Sequence, residues 1–279
     1  MARILAISSQ VARGHVGLSA IVPALQTLGH DVIALPTILL SNHPGHARVA
    51  GERIAPELLA RMLDTLDANG WLGAVDAVLT GYLPSVEHVA FAREAVQRVL
   101  SLNAQAVYLC DPVIGDHPKG VYIAHAAADA IRDTLLPEAD MVRLNAFELG
   151  WLAGRSIGSE REAADAARAL GRDLVLVSSV PDRPGLLSNV LALRIGNESA
   201  AVCRVAAADR VPHGTGDLLS ALLLGEGLAR DDFGPLLLGK IIAMLEVVVA
   251  ASCGEDELPL VASLRRMIEV RPLPTEPLV

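Results

Sequence analysis

The chain has 279 residues, of which 52% are hydrophobic and only 3% aromatic, so its core must be built from Ala, Val, Leu and Ile. Asp and Glu (32) outnumber Lys and Arg (23), which gives a formal net charge of −9. This charge argues against nucleic acid or an anionic membrane as the main partner, because both require a basic surface, although an anionic substrate could still bind to local cations and backbone dipoles.

Short apolar runs alternate with stretches of helical periodicity along nearly the whole chain. We expect strands at 3–8, 31–36, 74–80, 106–111, 140–144 and 174–179. We expect helices to fill much of 16–28, 52–69, 85–102, 122–135, 159–170, 217–229 and 235–251. Repetition of strand, helix and strand predicts an α/β fold with a mostly parallel sheet and helices on both faces.

The last third of the chain departs from this pattern in two places. In the stretch 189–205, two β-like runs flank residues 195–198, which predicts an antiparallel hairpin at the edge of the sheet. The Pro-rich end RPLPTEPLV predicts a tail over about 270–279 that is either flexible or draped on the surface. Because no shift in composition and no repeat is visible, we expect one domain over 1–279.

The cysteines and the N-terminus bear on the compartment. Three cysteines lie far apart without CxxC or zinc-like spacing, and an odd number fits a reducing compartment. The N-terminal apolar run is too short for a signal peptide and far too short to span a bilayer. We therefore expect a cytoplasmic protein with no membrane partner.

Polar residues and glycines follow most of the predicted strands. Ligands of open α/β sheets bind beyond the carboxyl ends of the strands. The positions to consider are Ser8 to Gln10, Thr37 with Ser41 to His43, Gly81 with Tyr82, Asp111 to Asp116, Asn145 to Glu148, and Ser178 with Ser179. Any one of these segments could equally be an ordinary polar loop.

The segment HGTGD at 213–217 precedes an unbroken apolar run. Gly214 and Gly216 permit backbone conformations with positive φ and a close approach to a ligand. If a helix begins near Gly216, its first amides have no partner within the helix and form a cradle for an anion. Asp217 in the same turn could take a proton from a hydroxyl held there, which predicts phosphoryl transfer. The alternative is a helix start with ordinary Gly and Asp caps.

Two further segments fit this chemistry. Asn145 and Glu148 lie three residues apart on one helical face, where both could hold hydrated Mg²⁺ near nucleotide phosphates. Alone, N-x-x-E is more often a surface cap. The loop from Asp111 to Gly120 carries two carboxylates and a lysine among glycines and prolines. That composition suits a lid that faces metal and phosphate.

Taken together, GTGD before an apolar helix, N-x-x-E and D-P-V-x-G-D resemble the ribokinase-like small-molecule kinases, and more narrowly the pyridoxal kinases. Matching segments are GHVGLSA (14–20), SNH (41–43), DAVLTGYL (76–83), YLCDPVIGD (108–116) and GVYIA (120–124). The resemblance covers about residues 3 to 265. It implies a three-layer sandwich, transfer of phosphate from ATP to the 5′-hydroxymethyl group of pyridoxal, a homodimer, and use of Mg²⁺ with a monovalent cation such as K⁺.

The resemblance also implies a role for each matching residue. Asp217 would be the base, and the amides of Gly214, Thr215 and Gly216 would form the anion hole. The substrate-binding residues would be Ser9, Val16, Thr37, His43 and Tyr82. The nucleotide-binding residues would be Asp111, Lys119, Tyr122, Asn145, Glu148, Ser178 and Ser179. Mg²⁺ would be organised by Asp111, Asp116 and Glu148.

The chain departs from the family pattern mainly at the substrate end. Gln10 stands in the usual S-H-V, Leu18 replaces an asparagine, and Pro44 and His46 replace a threonine and a tyrosine. Arg143 replaces the threonine of T-P-N, where a guanidinium could grip phosphate or block it. Two alternatives therefore stay open: a kinase of a related ring such as hydroxymethylpyrimidine, and a non-catalytic pyridoxal-binding relative.

Overall fold

The computed structural model describes residues 1–181, 183–194, 199–208 and 210–278. In these ranges the strands are β1 (Arg3–Val11), β2 (Asp31–Leu40), β3 (Gly51–Arg53), β4 (Ala77–Thr80), β5 (Val107–Cys110), β6 (Gly115–Asp116), β7 (Gly120–Val121), β8 (Met141–Asn145), β9 (Leu174–Pro181), β10 (Leu186–Leu193), β11 (Ala200–Ala206) and β12 (Glu276–Leu278). The α-helices are α1 (Leu18–Thr27), α2 (Pro56–Ala68), α3 (Val86–Leu102), α4 (His125–Ala130), α5 (Ala146–Ala153), α6 (Glu160–Ala169), α7 (Thr215–Arg230), α8 (Pro235–Ala251) and α9 (Leu260–Ile268).

The main sheet has the strand order β12-β11-β10-β9-β8-β5-β4-β1-β2-β3. The central neighbours from β9 to β2 are all parallel, whereas β10, β11 and β12 at one edge and β3 at the other are antiparallel to their neighbours. Because the central strands run the same way, their carboxyl ends meet at one edge, where a ligand site is expected. The mostly parallel α/β sheet predicted from the sequence is confirmed.

Alternate side chains of the central strands feed two separate apolar layers. In β1, Leu5 and Ile7 pack with α2, α3, α4, α5 and α6, while Ile4 and Ala6 pack with α1, α7, α8 and α9. These four side chains of β1 are fully buried, as expected for a parallel sheet covered on both faces. This arrangement confirms the three-layer sandwich. Among the residues that the structure describes, no helix combines the length and apolarity needed to cross a membrane.

The segment 52–69 differs from the helix expected there. Residues 51–53 form the edge strand β3, and α2 begins only at Pro56. Proline fits the first position of a helix but disfavours helical geometry in the residue before it, so the helix cannot extend back to residue 52. Gly51 is required for the pairing, since it has a φ of 148° and a Cβ there would lie 2.0 Å from the Leu39 carbonyl oxygen.

The predicted hairpin is present in the structure, whereas part of the predicted tail is a strand. β10 and β11 form the predicted antiparallel pair, with Leu186 opposite Ala206, and the turn predicted at 195–198 lies outside the described residues. The hairpin does not end the sheet, because β12 pairs with β11 beyond it. A flexible tail over 270–279 is therefore wrong for residues 276–278. Pro277 is compatible with this strand because proline is tolerated at a sheet edge.

Candidate active site

A cavity of about 1610 Å³ opens beyond the carboxyl ends of the central strands. Most residues that the sequence singled out line it, although they come from segments scattered over two hundred positions. The lining members of that set are Ser9, Val16, His43, Tyr82, Asp111, Asp116, Lys119, Tyr122, Asn145, Glu148, Ser178, Ser179, Gly214, Thr215, Gly216 and Asp217. The parallel sheet thus brings the predicted catalytic, substrate and nucleotide residues to one place.

The GTGD segment begins helix α7 at the wall of this cavity. Gly214 precedes the helix with a φ of 106°, and a Cβ at this position would lie 1.9 Å from the His15 carbonyl oxygen, so only glycine fits. The first helical hydrogen bond runs from the Leu218 amide to the Gly214 carbonyl. The amides of Thr215 and Gly216 therefore have no partner within the helix, and with the Gly214 amide they remain the predicted cradle for an anion.

Asp217 lies in the first turn of α7 and faces the cavity. Burial, and then the nearby Asp111 carboxylate, raises the pKa of Asp217 to about 6, against the opposing influence of the Gly17 amide and of Arg143. A carboxyl group with this pKa is ionised at neutral pH and is a stronger base than an exposed aspartate. No role for Gly17 was predicted from the sequence, and a Cβ at this position would lie 2.2 Å from the Ser9 carbonyl oxygen.

Asn145 and Glu148 form a capping box at the start of α5. The Asn145 side chain accepts a hydrogen bond from the Glu148 amide at 2.9 Å, and the Glu148 carboxylate accepts one from the Asn145 amide at 2.9 Å. The second oxygen of Glu148 accepts from the Ile114 amide at 2.8 Å, and the Asn145 side chain donates to the Gly115 carbonyl at 2.9 Å. Both oxygens of Glu148 accept from backbone amides, so Glu148 anchors the loop after β5. Its expected role towards Mg²⁺ stays a prediction.

The two other predicted metal residues have unpaired oxygens. One carboxylate oxygen of Asp111 and one of Asp116 are buried with no hydrogen-bond partner among the described residues. The second Asp111 oxygen accepts from the Ser220 hydroxyl at 2.6 Å and lies 3.5 Å from Arg143. No group of three His, Cys, Asp or Glu side chains forms a metal cage in the described part of the chain. Mg²⁺ is commonly held by one or two carboxylates together with substrate phosphates, which fits this pair.

A stack of side chains closes one side of the cavity. The His43 and His213 rings lie 3.8 Å apart between centroids, and Lys119 Nζ lies 3.3 Å from His213 Nε2. Burial and the neighbouring cations lower the pKa of both imidazoles, that of His43 to about 4, so both are neutral at neutral pH. The loop 41–50 and the β6–β7 lid (115–121) therefore meet over the start of α7, a contact that spacing in the sequence does not reveal.

On the substrate side, Thr37 does not line the cavity, which corrects its expected role in binding. Thr37 is fully buried, and its hydroxyl donates to the Tyr82 carbonyl at 2.8 Å. The Ser8 hydroxyl accepts from the Tyr82 amide at 3.1 Å. The two hydroxyls thus hold the backbone of Tyr82, whose side chain lines the cavity.

Most departures from the family pattern lie off the cavity wall. Gln10 donates to a serine hydroxyl of α1 at 2.9 Å, and Leu18 packs in the core. His46 pairs at 2.8 Å with a glutamate of the loop before α9. Of the substitutions noted in the sequence, Pro44 and Arg143 are the ones that line the cavity. Most of the altered positions therefore leave the wall that a substrate would contact unchanged.

The chain is similar in sequence to known proteins. A family model described as phosphomethylpyrimidine kinase matches residues 17–232. The pyridoxal kinase PdxY of Leifsonia xyli subsp. xyli is 35% identical over 94% of this chain and 94% of its own. The corresponding protein of Rubrobacter xylanophilus is 35% identical over 95% of this chain and 93% of its own.

Solved structures of pyridoxal kinases are also similar to this chain. The pyridoxal kinase of Leishmania donovani, solved with ADP and pyridoxine, superposes with a TM-score of 0.92 at 29% identity and covers 99% of both chains. Its complex with ADP and pyridoxamine gives 0.93 at 28% identity and covers 100% of both chains. The likeness therefore extends through every layer of the fold.

Proposed function

Because the chain belongs to the pyridoxal kinases of the phosphomethylpyrimidine kinase family, we propose that it transfers the γ-phosphoryl group of ATP to the 5′-hydroxymethyl oxygen of pyridoxal. The observation that carries the proposal is Asp217 in the first turn of α7, beside amides that have no helical partner. A base next to a cradle for an anion is the arrangement that phosphoryl transfer requires.

In the reaction, the bond between the γ-phosphorus and the oxygen shared with ADP breaks, and a bond to the substrate hydroxyl oxygen forms. Asp217 takes the hydroxyl proton, and ADP leaves with the former bridging oxygen. The amides of Thr215 and Gly216 donate to the oxygens of the transferring group, where negative charge accumulates. Lys119, on the lid, supplies a positive charge over the same region.

The remaining cofactor and ligand assignments belong to the same proposal. Mg²⁺ bound with the nucleotide would neutralise charge on the β- and γ-phosphates, and Asp111 and Asp116 are the residues that would face it. A monovalent cation such as K⁺ is included on the family resemblance. Ser178 and Ser179 would line the nucleotide side, with Tyr122 at the lid. Ser9, Val16 and Tyr82 would line the pyridoxal side.

We also propose a cytoplasmic homodimer. The family resemblance supports this proposal. Analytical ultracentrifugation at micromolar concentration distinguishes the dimer from a monomer.

A second candidate is a kinase of a hydroxymethylpyrimidine, which the description of the matching family model favours. The decisive experiment measures ADP release with Mg²⁺-ATP and K⁺ in the presence of pyridoxal, pyridoxine, pyridoxamine or hydroxymethylpyrimidine. We expect turnover with the pyridoxal group, reduced about 10²–10⁴-fold in Asp217→Ala, as is typical for loss of a general base.

Preference for the pyrimidine would select the second candidate. Binding of pyridoxal without turnover of any compound would identify a non-catalytic binding protein. Turnover that survives in Asp217→Ala would remove Asp217 from the role of base.

A further inference from the structure

Arg143 is a buried cation with incompletely used hydrogen-bonding capacity. Its side chain is 9% exposed and contributes to the floor of the cavity. Nη2 donates to the Ser178 hydroxyl at 2.8 Å, whereas the contact from Nη1 to Asp111 is long, at 3.5 Å. Nε has no partner among the described residues. Nε is buried, but the two terminal nitrogens carry four donors, of which the contacts with Ser178 and Asp111 use two, so Arg143 keeps donors for a ligand in the cavity.

The guanidinium lies directly against the start of α7. A Cβ built on Gly216 would lie 2.7 Å from Arg143 Nη1, so glycine at this position makes room for the arginine. Arg143 is also one of the groups that oppose the raised pKa of Asp217. It is therefore adjacent both to the amides of the cradle and to the catalytic carboxylate.

The charge around the cradle explains why a cation is needed there. Asp111 interacts electrostatically with both Glu148 and Asp217 inside the site, and Asp116 lies on the lid. The γ-phosphoryl group brings further negative charge, which spreads over its three non-bridging oxygens during transfer. Arg143 is the buried cation in this part of the described chain.

We propose that Arg143 is a catalytic residue whose free donors contact the transferring γ-phosphoryl group from the side of the β8 strand, next to the cradle amides. The inference rests on the proposed kinase function. The phosphoryl group passes from the β-phosphate oxygen of ATP to the substrate hydroxyl while Asp217 takes the proton. The guanidinium stays charged throughout and stabilises the negative oxygens. An arginine that serves this purpose from within the same chain is a known device of phosphoryl transfer.

The test compares Arg143→Gln and Arg143→Lys with the wild type in two assays. We expect kcat for pyridoxal to fall about 10³-fold in Arg143→Gln and less in Arg143→Lys, which keeps the charge but not the planar fork. We also expect Arg143→Gln to lose about tenfold more affinity for a non-hydrolysable ATP analogue than for ADP, because ADP lacks the γ-phosphate. Arg204→Gln is the matched control, since it removes another partly buried arginine–carboxylate pair, between β11 and α6.

Several outcomes would overturn the proposal. Equal loss of affinity for ADP and for the analogue would mean that Arg143 only holds Asp111 and Ser178 in place. A rate that increases in Arg143→Gln would mean that the guanidinium blocks phosphate. If the wild type fails to phosphorylate any substrate, the proposed function fails, but the comparison of ADP with the ATP analogue still tests the contact of Arg143 with the γ-phosphate.

Discussion

At the residue scale, burial of Asp217, the proposed base, carries a cost in stability. Burial and Asp111 raise its pKa from 3.8 to about 6. Between these values the native protein keeps a proton that the unfolded chain has lost, so this residue's contribution to the free energy of unfolding decreases as the pH rises through that window. At neutral pH the ionised carboxylate therefore opposes folding.

We expect Asp217→Asn to be nearly inactive yet more heat-stable than the wild type at pH 7.5. The difference in melting temperature should shrink as the pH falls from about 6 towards 4, because the wild-type carboxyl becomes neutral as well. Thermal unfolding of both proteins at pH 4 to 8 measures this. Titrating groups distant from Asp217 are present in both proteins and cancel in the difference. A constant difference across this range would contradict the assigned shift.

At the scale of single elements, local signals in the sequence were reliable where one residue type sets the backbone. The Gly-rich start of α7 and the strands of the parallel sheet follow from glycine and apolar runs. For Asn145 and Glu148 the sequence left both a cap and a metal pattern open, and α5 was not among the helices predicted by range. The reason is that N-x-x-E describes both a cap and a ligand pair, and the choice depends on Ile114, whose amide is brought near by β5.

Glu148→Gln tests the role of this carboxylate as an anchor. The amide has one oxygen, which can accept from the Ile114 or the Asn145 amide but not replace both contacts. We expect KM for ATP to rise about tenfold, with KM for pyridoxal nearly unchanged, since the loop after β5 carries Asp111 and Asp116, which we propose to face Mg²⁺ bound with the nucleotide. Glu162→Gln, in an exposed cap on α6, is the control. Restoration of activity by excess Mg²⁺ would instead identify Glu148 as a metal ligand.

At the scale of the whole molecule, function depends on contacts between segments that are distant in the sequence. Positions 43, 119 and 213 meet over the cavity because the loop 41–50, the β6–β7 lid and the start of α7 all reach the same edge of the sheet. A single sequence predicts that the site lies at the carboxyl edge of the sheet, but it does not predict which side chains meet there. For the same reason, the sequence did not reveal that Thr37 supports Tyr82 instead of lining the cavity.

The stack of His43 on His213 should make closure of the cavity sensitive to pH. His43 faces His213, Lys119 and His46, and burial with these neighbours lowers its pKa from 6.5 to about 4. The unfolded chain binds a proton in this window that the native protein excludes, so the contribution of His43 to the free energy of unfolding decreases as the pH falls from about 6.5 towards 4.

His43→Gln removes both the ring stack and this proton linkage. At pH 7.5 we expect a KM for pyridoxal several-fold above that of the wild type, because an unpaired loop 41–50 covers the cavity less often. The stability difference between wild type and variant should decrease as the pH is lowered to 4, since only the wild type resists protonation. Urea unfolding at several pH values measures it, with the exposed His125→Gln as control. A difference that stays constant with pH would show that the stack does not exclude the proton.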